Sequence, residues 1–296
     1  MKFADGHSDF LSAALDRKDW KDLKSSPEKL RDGKVVFQVY AVYVGTDHEA
    51  TKRALRQVEL FWRLDVKRVL SPDDLPEDPK ELHVMLALEG LLPIDGYPEL
   101  LGVFHRLGVR MASLVWSRVN SFADGSKFEG KPGGRGISDL GKEALRIMEE
   151  LGWILDVSHL NDRGAWDVFE SFDGKIVATH SSSRVLCDTP RNIPDDIARE
   201  IARRGGVVGV NFSPRFLKCS DDASIDDVID HVEHFLNVLG EDHVALGSDF
   251  DGLRSYPKGL EDASKLPNLW EKMVKRLGEN VAEKVAWKNW IRVVKS

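Results

Sequence analysis

Five segments of this chain set histidine or acidic residues directly after an apolar run: Asp5-Gly6-His7-Ser8-Asp9, Leu88-Glu89-Gly90, Asp156-Val157-Ser158-His159, Ala178-Thr179-His180-Ser181 and Gly247-Ser248-Asp249-Phe250-Asp251-Gly252. His7 and Asp9 are two apart, a spacing that in extended backbone points both side chains the same way, so they can share one metal ion. Glu89, His159 and His180 join them if the runs before them end on one rim. Neutral imidazole with carboxylate suits zinc and other borderline divalent cations without any thiolate, and a bidentate Glu can bridge two ions. Such a pair would lower the pKa of a shared water and polarise a carbonyl, which is the chemistry of hydrolysis. The chain has no Gly-x-Ser-x-Gly elbow that would suggest a covalent serine route. Any one of these residues alone would be ordinary hydrogen-bonded surface; five on one rim would not.

The remaining candidates read as bland. His231 and His234 sit three apart in a charged helical segment and are expected as a surface pair. His48, His83, His105 and His243 read as structural or solvated. Cys187 and Cys219 are expected as inert thiols, since two cysteines cannot build a disulfide framework or a thiolate metal site in a chain this long.

Eight apolar or β-branched runs, at 2–4, 35–44, 82–88, 109–115, 153–157, 175–179, 207–211 and 243–247, alternate with segments of helical period. The helical segments are 49–64, 97–107, 140–151, 163–172, 195–204, 225–239, 269–277 and 281–293. Eight strand-then-helix units predict a single-domain (β/α)₈ barrel over residues 1–296, in which catalytic groups stand at the C-terminal ends of the strands. Thr46…Glu49 has the spacing of a capping box and Ser224…Asp227 that of an acidic analogue. Residues 10–33 are expected as an irregular helical insertion and 120–137 as a mobile loop over the barrel mouth.

Hydrophobic residues at 42% and charged residues at 31% describe a well-solvated globular protein, and a net charge of −7 argues against a general nucleic-acid binder. No signal-peptide-like stretch opens the chain, and no run approaches the roughly 18 apolar residues of a membrane span, so the expected location is the cytoplasm. Asn and Gln total ten residues against abundant Lys, Arg and Glu, a bias reported for heat-adapted proteins. A small solute is the expected partner, with no nucleic acid and no membrane; a second copy of the chain, as a homodimer, is left open.

The strand-end motifs, together with Gly136-Ile137-Ser138-Asp139, Arg191-Asn192-Ile193-Pro194-Asp195-Asp196 and Gly206-Val207-Val208-Gly209-Val210-Asn211-Phe212, resemble the membrane dipeptidase family along nearly the whole chain. The resemblance implies a two-metal, amidohydrolase-type barrel that hydrolyses dipeptides and tolerates C-terminal D-residues. It implies that His7 and Asp9 bind one ion, that Glu89 bridges, and that His159 and His180 bind the other. Arg191 would hold the substrate's C-terminal carboxylate, for which a guanidinium fork is suited. Asp249 would act as a catalytic group near the scissile bond, and Asp251 as a structural acceptor in the same turn. One position departs: where many members carry a substrate-contacting histidine on the fourth strand, this chain has Trp116. An indole N–H donates a hydrogen bond but carries no charge, so stabilisation of a tetrahedral intermediate there would be weaker or shared. Two rivals stand beside this reading: the same barrel acting on lactones, phosphoesters or other amides, and a homologue that binds metal or peptide without catalysis. Retention of all five ligands and of Asp249 speaks against the second.

Overall fold

The computed structural model describes residues 1–45, 48–130 and 134–296. The strands are β1 (Phe3–Ser8), β2 (Val35–Val42), β3 (Lys67–Arg68), β4 (His83–Glu89), β5 (Val109–Ser113), β6 (Ile154–Asp156), β7 (Ile176–Val177), β8 (Val208–Val210) and β9 (Val244–Leu246). All are parallel, in the order β7-β6-β5-β4-β2-β1-β9-β8, and a parallel bridge between Ala178 and Val208 joins the two ends. The sheet is thus the (β/α)₈ barrel that the alternation predicted. β3 is the one strand without a sequence signal. It is two charged residues long and pairs with the start of β4 at Lys67↔His83, beneath the point where β5 begins to pair.

The barrel strands are buried almost throughout because the outer helices cover one face and side chains fill the other. These helices present one apolar stripe each: the helix Ala50–Arg63 buries Ala54, Val58 and Phe61, and the helix Ile225–Leu239 buries Val228, Ile229, Val232 and Phe235. Ser224 opens the latter with the reciprocal bonds to Asp227 that the spacing predicted. The other proposed capping box includes Thr46, which lies outside the described residues. Residues 10–33 form two short helices, Phe10–Ala14 and Pro27–Asp32, within an otherwise irregular stretch. Expected as one helix, 281–293 is interrupted by a π turn at Lys284–Lys288. It seats Trp290, fully buried, whose Nε1 donates to the carbonyl of Leu246 at 2.8 Å. A Cβ on Gly6 would stand 2.2 Å from the Trp290 ring, so this close approach requires glycine.

Two expectations fail here. Cys187 and Cys219, read as separate thiols, are joined in a disulfide with Cα atoms 5.5 Å apart. Two distant cysteines carry no pairing signal in sequence; only the approach of the loops after β7 and β8 brings them together. His231 is buried rather than on the surface: its Nδ1 accepts from the Ser183 amide at 2.9 Å and its Nε2 meets the Leu217 carbonyl at 2.8 Å. His234 pairs instead with Asp195 at 2.8 Å.

Candidate active site

Each metal-ligand candidate stands where a barrel strand ends. His7 belongs to β1 and Asp9 follows it, Glu89 closes β4, and His159 and His180 lie just past β6 and β7. Two buried carboxylates brace these ends. Asp5 accepts from the Ser248 amide at 2.7 Å, tying β1 to the segment after β9, and Asp156 accepts from the amides of Ser158 and Thr179, both at 2.9 Å, tying β6 to β7. His159 and Asp249 hold left-handed backbone, with φ of 73° and 61°. A non-glycine residue in that region marks a functional constraint more often than chance.

The five side chains converge. One oxygen of Glu89, Oε1, lies 2.8 Å from His159 Nε2, 3.6 Å from His180 Nε2 and 3.7 Å from His7 Nε2. His7 Nε2 stands 3.9 Å from Asp9, and the His7 and His180 rings stack with centroids 3.7 Å apart. Two overlapping sets have ligand atoms within 4.8 Å of one another: His7, Glu89 and His180, and His7, Asp9 and Asp249. The second set brings Asp249 into ligand range, a placement that the sequence reading did not foresee.

Outer hydrogen bonds set the tautomers. Thr179 Oγ1 donates to Asp156 at 2.6 Å, so in its 2.7 Å contact with His180 Nδ1 the imidazole is the donor and Nε2 keeps its lone pair. Ser117 Oγ makes the corresponding 2.6 Å contact with His159 Nδ1. Burial, then the charge of neighbours such as His7 and Arg191, holds both imidazoles well below their usual pKa and therefore neutral.

The carboxylates are under the opposite pressure. Burial, and then the charge of Asp9, pushes Glu89 well above the ordinary carboxylate range. Burial likewise pushes Asp249 up to about 6, against the pull of His7 and the Asn211 hydrogen bond. Burial opposes a charge on His7, yet Glu89, Asp9 and Asp249 hold its pKa up at about 10. Three carboxylates crowd one buried cup in which His7 Nε2 and Asp9 Oδ1 have no hydrogen-bond partner among the described residues. Orphaned buried polar atoms are costly, and a divalent cation would satisfy them and the local negative charge together. The donor set of imidazole and carboxylate fits such an ion.

Above the cup opens a cavity of about 650 Å³, lined among others by Tyr43, Trp116, Lys127, Arg191, Phe216 and Arg254. A second cavity of similar size, about 680 Å³, lies at the other end of the barrel beside Lys2, Lys34 and Lys80, far from the ligand cluster. Arg191 is buried against Phe216; its Nη1 donates to Ser181 at 3.2 Å and its Nη2 to the His180 carbonyl at 2.8 Å, and the same Nη2 lies 3.2 Å from His159 Nε2. Trp116 stands on the cavity wall, its ring 6.0 Å from that of His159 and 5.3 Å from that of Tyr43. Asn211 Nδ2 holds Asp249 Oδ2 at 2.9 Å. Asp251 is a structural acceptor, taken by the amides of Lys24 at 2.7 Å and Ser25 at 2.9 Å.

The sequence reading gave no role to Tyr43, Ser117, Lys127 or Asn211. Tyr43 follows the second strand and was open to the same strand-end logic; burial raises its phenol pKa, leaving a neutral O–H donor in the cavity. Ser117 sits in irregular backbone and Lys127 in a single 3-10 turn, Ser126–Phe128, within the long loop, and neither had such a signal. The long loop is anchored at both ends, by the Ser126 amide on the His159 carbonyl at 2.7 Å and the Asp124 amide on the Gly136 carbonyl at 3.3 Å. Its Lys131-Pro132-Gly133 segment lies outside the described residues.

The profile of the membrane dipeptidase family, peptidase family M19, matches residues 1–296. Among named relatives, an uncharacterized dipeptidase of Schizosaccharomyces pombe is 33% identical over 99% of this chain and 80% of its own length. Dipeptidase 3 of Rattus norvegicus is 31% identical over 91% of this chain and 58% of its own length. Among solved structures, the metallopeptidase dipeptidase AC of family M19 superposes with a TM-score of 0.89 at 28% identity, covering 100% of this chain and 98% of that one. A metallopeptidase from Rhodobacter sphaeroides, bound to a phosphinate mimic of the dipeptide L-Ala-D-Ala, superposes with a TM-score of 0.88 at 27% identity, covering 100% and 99%. With the family profile matched from end to end and the barrel shared, this chain belongs to the membrane dipeptidase family and is a metal-dependent dipeptidase by class.

Proposed function

We propose that the protein hydrolyses free dipeptides at a centre of two divalent cations, zinc foremost. His7 and Asp9 would hold one ion, His159 and His180 the other, and Glu89 would serve both. The carrying observation is the buried cup of three carboxylates in which His7 Nε2 and Asp9 Oδ1 lack a hydrogen-bond partner among the described residues. When bound, such ions supply an ionised water at neutral pH and draw electron density from the peptide carbonyl.

The chain's own residues do the rest. Arg191 receives the C-terminal carboxylate with the donors it directs into the cavity, and so sets the length of the substrate: a peptide extended beyond its second residue cannot place that group there. Asp249, its Oδ2 fixed by Asn211, uses its other oxygen to take the proton of the attacking water and pass it to the leaving amine. Trp116 walls the cavity beside His159, with its indole N–H as the only polar group it can offer the substrate. The expectation of a cytoplasmic location has to accommodate the disulfide, since intracellular disulfides persist chiefly in heat-adapted organisms, a setting that the Lys- and Glu-rich, Asn- and Gln-poor composition supports.

The test combines metal analysis with a substrate panel. The purified protein should carry up to two divalent ions, lose activity on chelation, and cleave free dipeptides far better than tripeptides or C-terminally amidated dipeptides. Loss of a buried charge-assisted pair costs on the order of 2–5 kcal/mol. Turnover by metal-free protein would sink the metal centre, and equal cleavage of amidated and free dipeptides would remove Arg191 from substrate recognition.

A further inference from the structure

Lys127 differs from Arg191 and Arg215, two other cations of the cavity. Arg191 shares its donors with Ser181 and the His180 carbonyl, and Arg215 is paired with Asp221 at 2.7 Å. The Lys127 ammonium lies 4.9 Å from the centroid of the Trp116 ring, and among the described residues no carboxylate is placed in an ion pair with it. An aromatic face holds an ammonium loosely and leaves its remaining donors free for an anion.

Its position is not that of a random surface lysine. The Lys127 amide donates to the Ser117 carbonyl at 3.0 Å, and the neighbouring Ser126 amide donates to the His159 carbonyl at 2.7 Å. Ser117 Oγ in turn contacts His159 Nδ1 at 2.6 Å. The backbone that orients His159 therefore also places Lys127, and Arg191 Nη2 lies 3.2 Å from the same imidazole. Two cations, Arg191 and Lys127, thus flank His159. Of the three carboxylates of the cup, Asp9 and Asp249 gather around His7, and Glu89 reaches His159, His180 and His7 alike. A ligand with negative charge at both ends of one residue would match the His159 side and be repelled from the His7 side.

We propose that Lys127 reads a side-chain carboxylate on the C-terminal residue of the substrate, so that dipeptides ending in Asp or Glu are preferred. The inference rests on the dipeptidase reading and on Arg191 as the reader of the α-carboxylate. Lys127 acts on selection between substrates rather than on bond cleavage.

The experiment measures kcat/KM on the metal-loaded enzyme for Ala-Glu against Ala-Gln, Ala-Asp against Ala-Asn, and Glu-Ala against Gln-Ala. Acidic C-terminal residues should be favoured by about fivefold or more, with the margin shrinking in high salt, while Glu-Ala gains nothing over Gln-Ala. Lys127→Arg should keep the preference, Lys127→Gln should bring the ratio to about one, and Lys127→Glu should turn it below one. A wild-type ratio of one, or a preference that survives Lys127→Gln, overturns the proposal while leaving the dipeptidase reading intact. Failure to cleave any of the six dipeptides overturns both.

Discussion

At the scale of single residues, the site is defined by which lone pairs and charges are left over. His180 has its Nδ1 proton engaged by Thr179, Ser117 contacts His159 Nδ1, and both imidazoles turn Nε2 toward Glu89. Asp249 is the least settled of the group, because its carboxylate stands both in ligand range of His7 and Asp9 and in hydrogen-bond contact with Asn211. These two roles give different outcomes on substitution. If Asp249 moves a proton, Asp249→Asn keeps its shape and should lower kcat by about 10²–10⁴-fold with metal content unchanged. Loss of an ion from the Asn variant, measured by elemental analysis, would assign it as a ligand instead. Gly252 adds a steric condition at the same spot: a Cβ there would stand 2.2 Å from Asp9 Oδ2 and 2.5 Å from Asp249 Oδ1.

At the scale of elements, the wall that carries Arg191 is strapped from several sides. The disulfide joins Cys187, in the loop after β7, to Cys219, just beyond the short helix Pro214–Leu217. Asn192 Nδ2 donates to the carbonyls of Cys187 and Phe216, both at 2.8 Å, and His231 links Ser183 to Leu217. Closing a loop of 32 residues is worth about 3–4 kcal/mol in the chain-entropy view. Replacing both cysteines by serine should lower the free energy of unfolding by about that amount and raise KM more than it lowers kcat, because Arg191 is positioned by this wall. Urea titrations of the variant beside the parent, with and without reductant, check the first part. An unchanged stability would make the bond incidental. In the helix Asp195–Arg203, which follows the Arg191 segment, Glu200 accepts from Arg203 Nε at 2.7 Å and Arg204 Nε at 2.8 Å, and the Arg203 hydrogen bond above all lowers its pKa to about 2. A carboxylate depressed from 4.5 stabilises the fold above that pH, and the contribution fades as pH falls toward about 2. Glu200→Gln should therefore cost about 1 kcal/mol at neutral pH. The gap from the parent in urea midpoint should narrow on acidification below 4.5. A gap independent of pH would mean that shape, not charge, is responsible.

For the whole molecule, the barrel concentrates negative charge at one place. Asp9, Glu89 and Asp249 meet at one end of a closed sheet, and the chain as a whole carries a net charge of −7. Cations that bind the folded state but not the unfolded chain stabilise it by mass action, by about 4 kcal/mol when free metal exceeds its Kd a thousandfold. Chelation should therefore lower the melting temperature by several degrees, and added zinc should restore it together with activity. A melting curve indifferent to chelation would show that the cup does not rely on a cation for its stability.

The alternation of eight apolar runs with helical segments was enough to specify the barrel, because each strand is buried on both faces and each helix keeps a single apolar stripe. The rule that chemistry stands at strand ends then singled out His7, Asp9, Glu89, His159 and His180, and the distances among them are those of one cluster. Resemblance to a family, rather than spacing, singled out Arg191 and Trp116 and gave Asp249, already marked by its strand end, its role. Other features had no local signal. β3 is too short and too charged to show a period, Ser117 lies in irregular backbone and Lys127 in a lone 3-10 turn, and the burial of His231 depends on loops far away in sequence. The disulfide depends on two loops meeting across 32 residues. Periodicity is a local property written along the chain, so the sequence by itself determined the barrel and the rim where the candidate residues gather. Partnership between loops is decided only when the barrel closes and brings their ends together, so the tertiary structure alone decided which side chains brace, strap and flank the site.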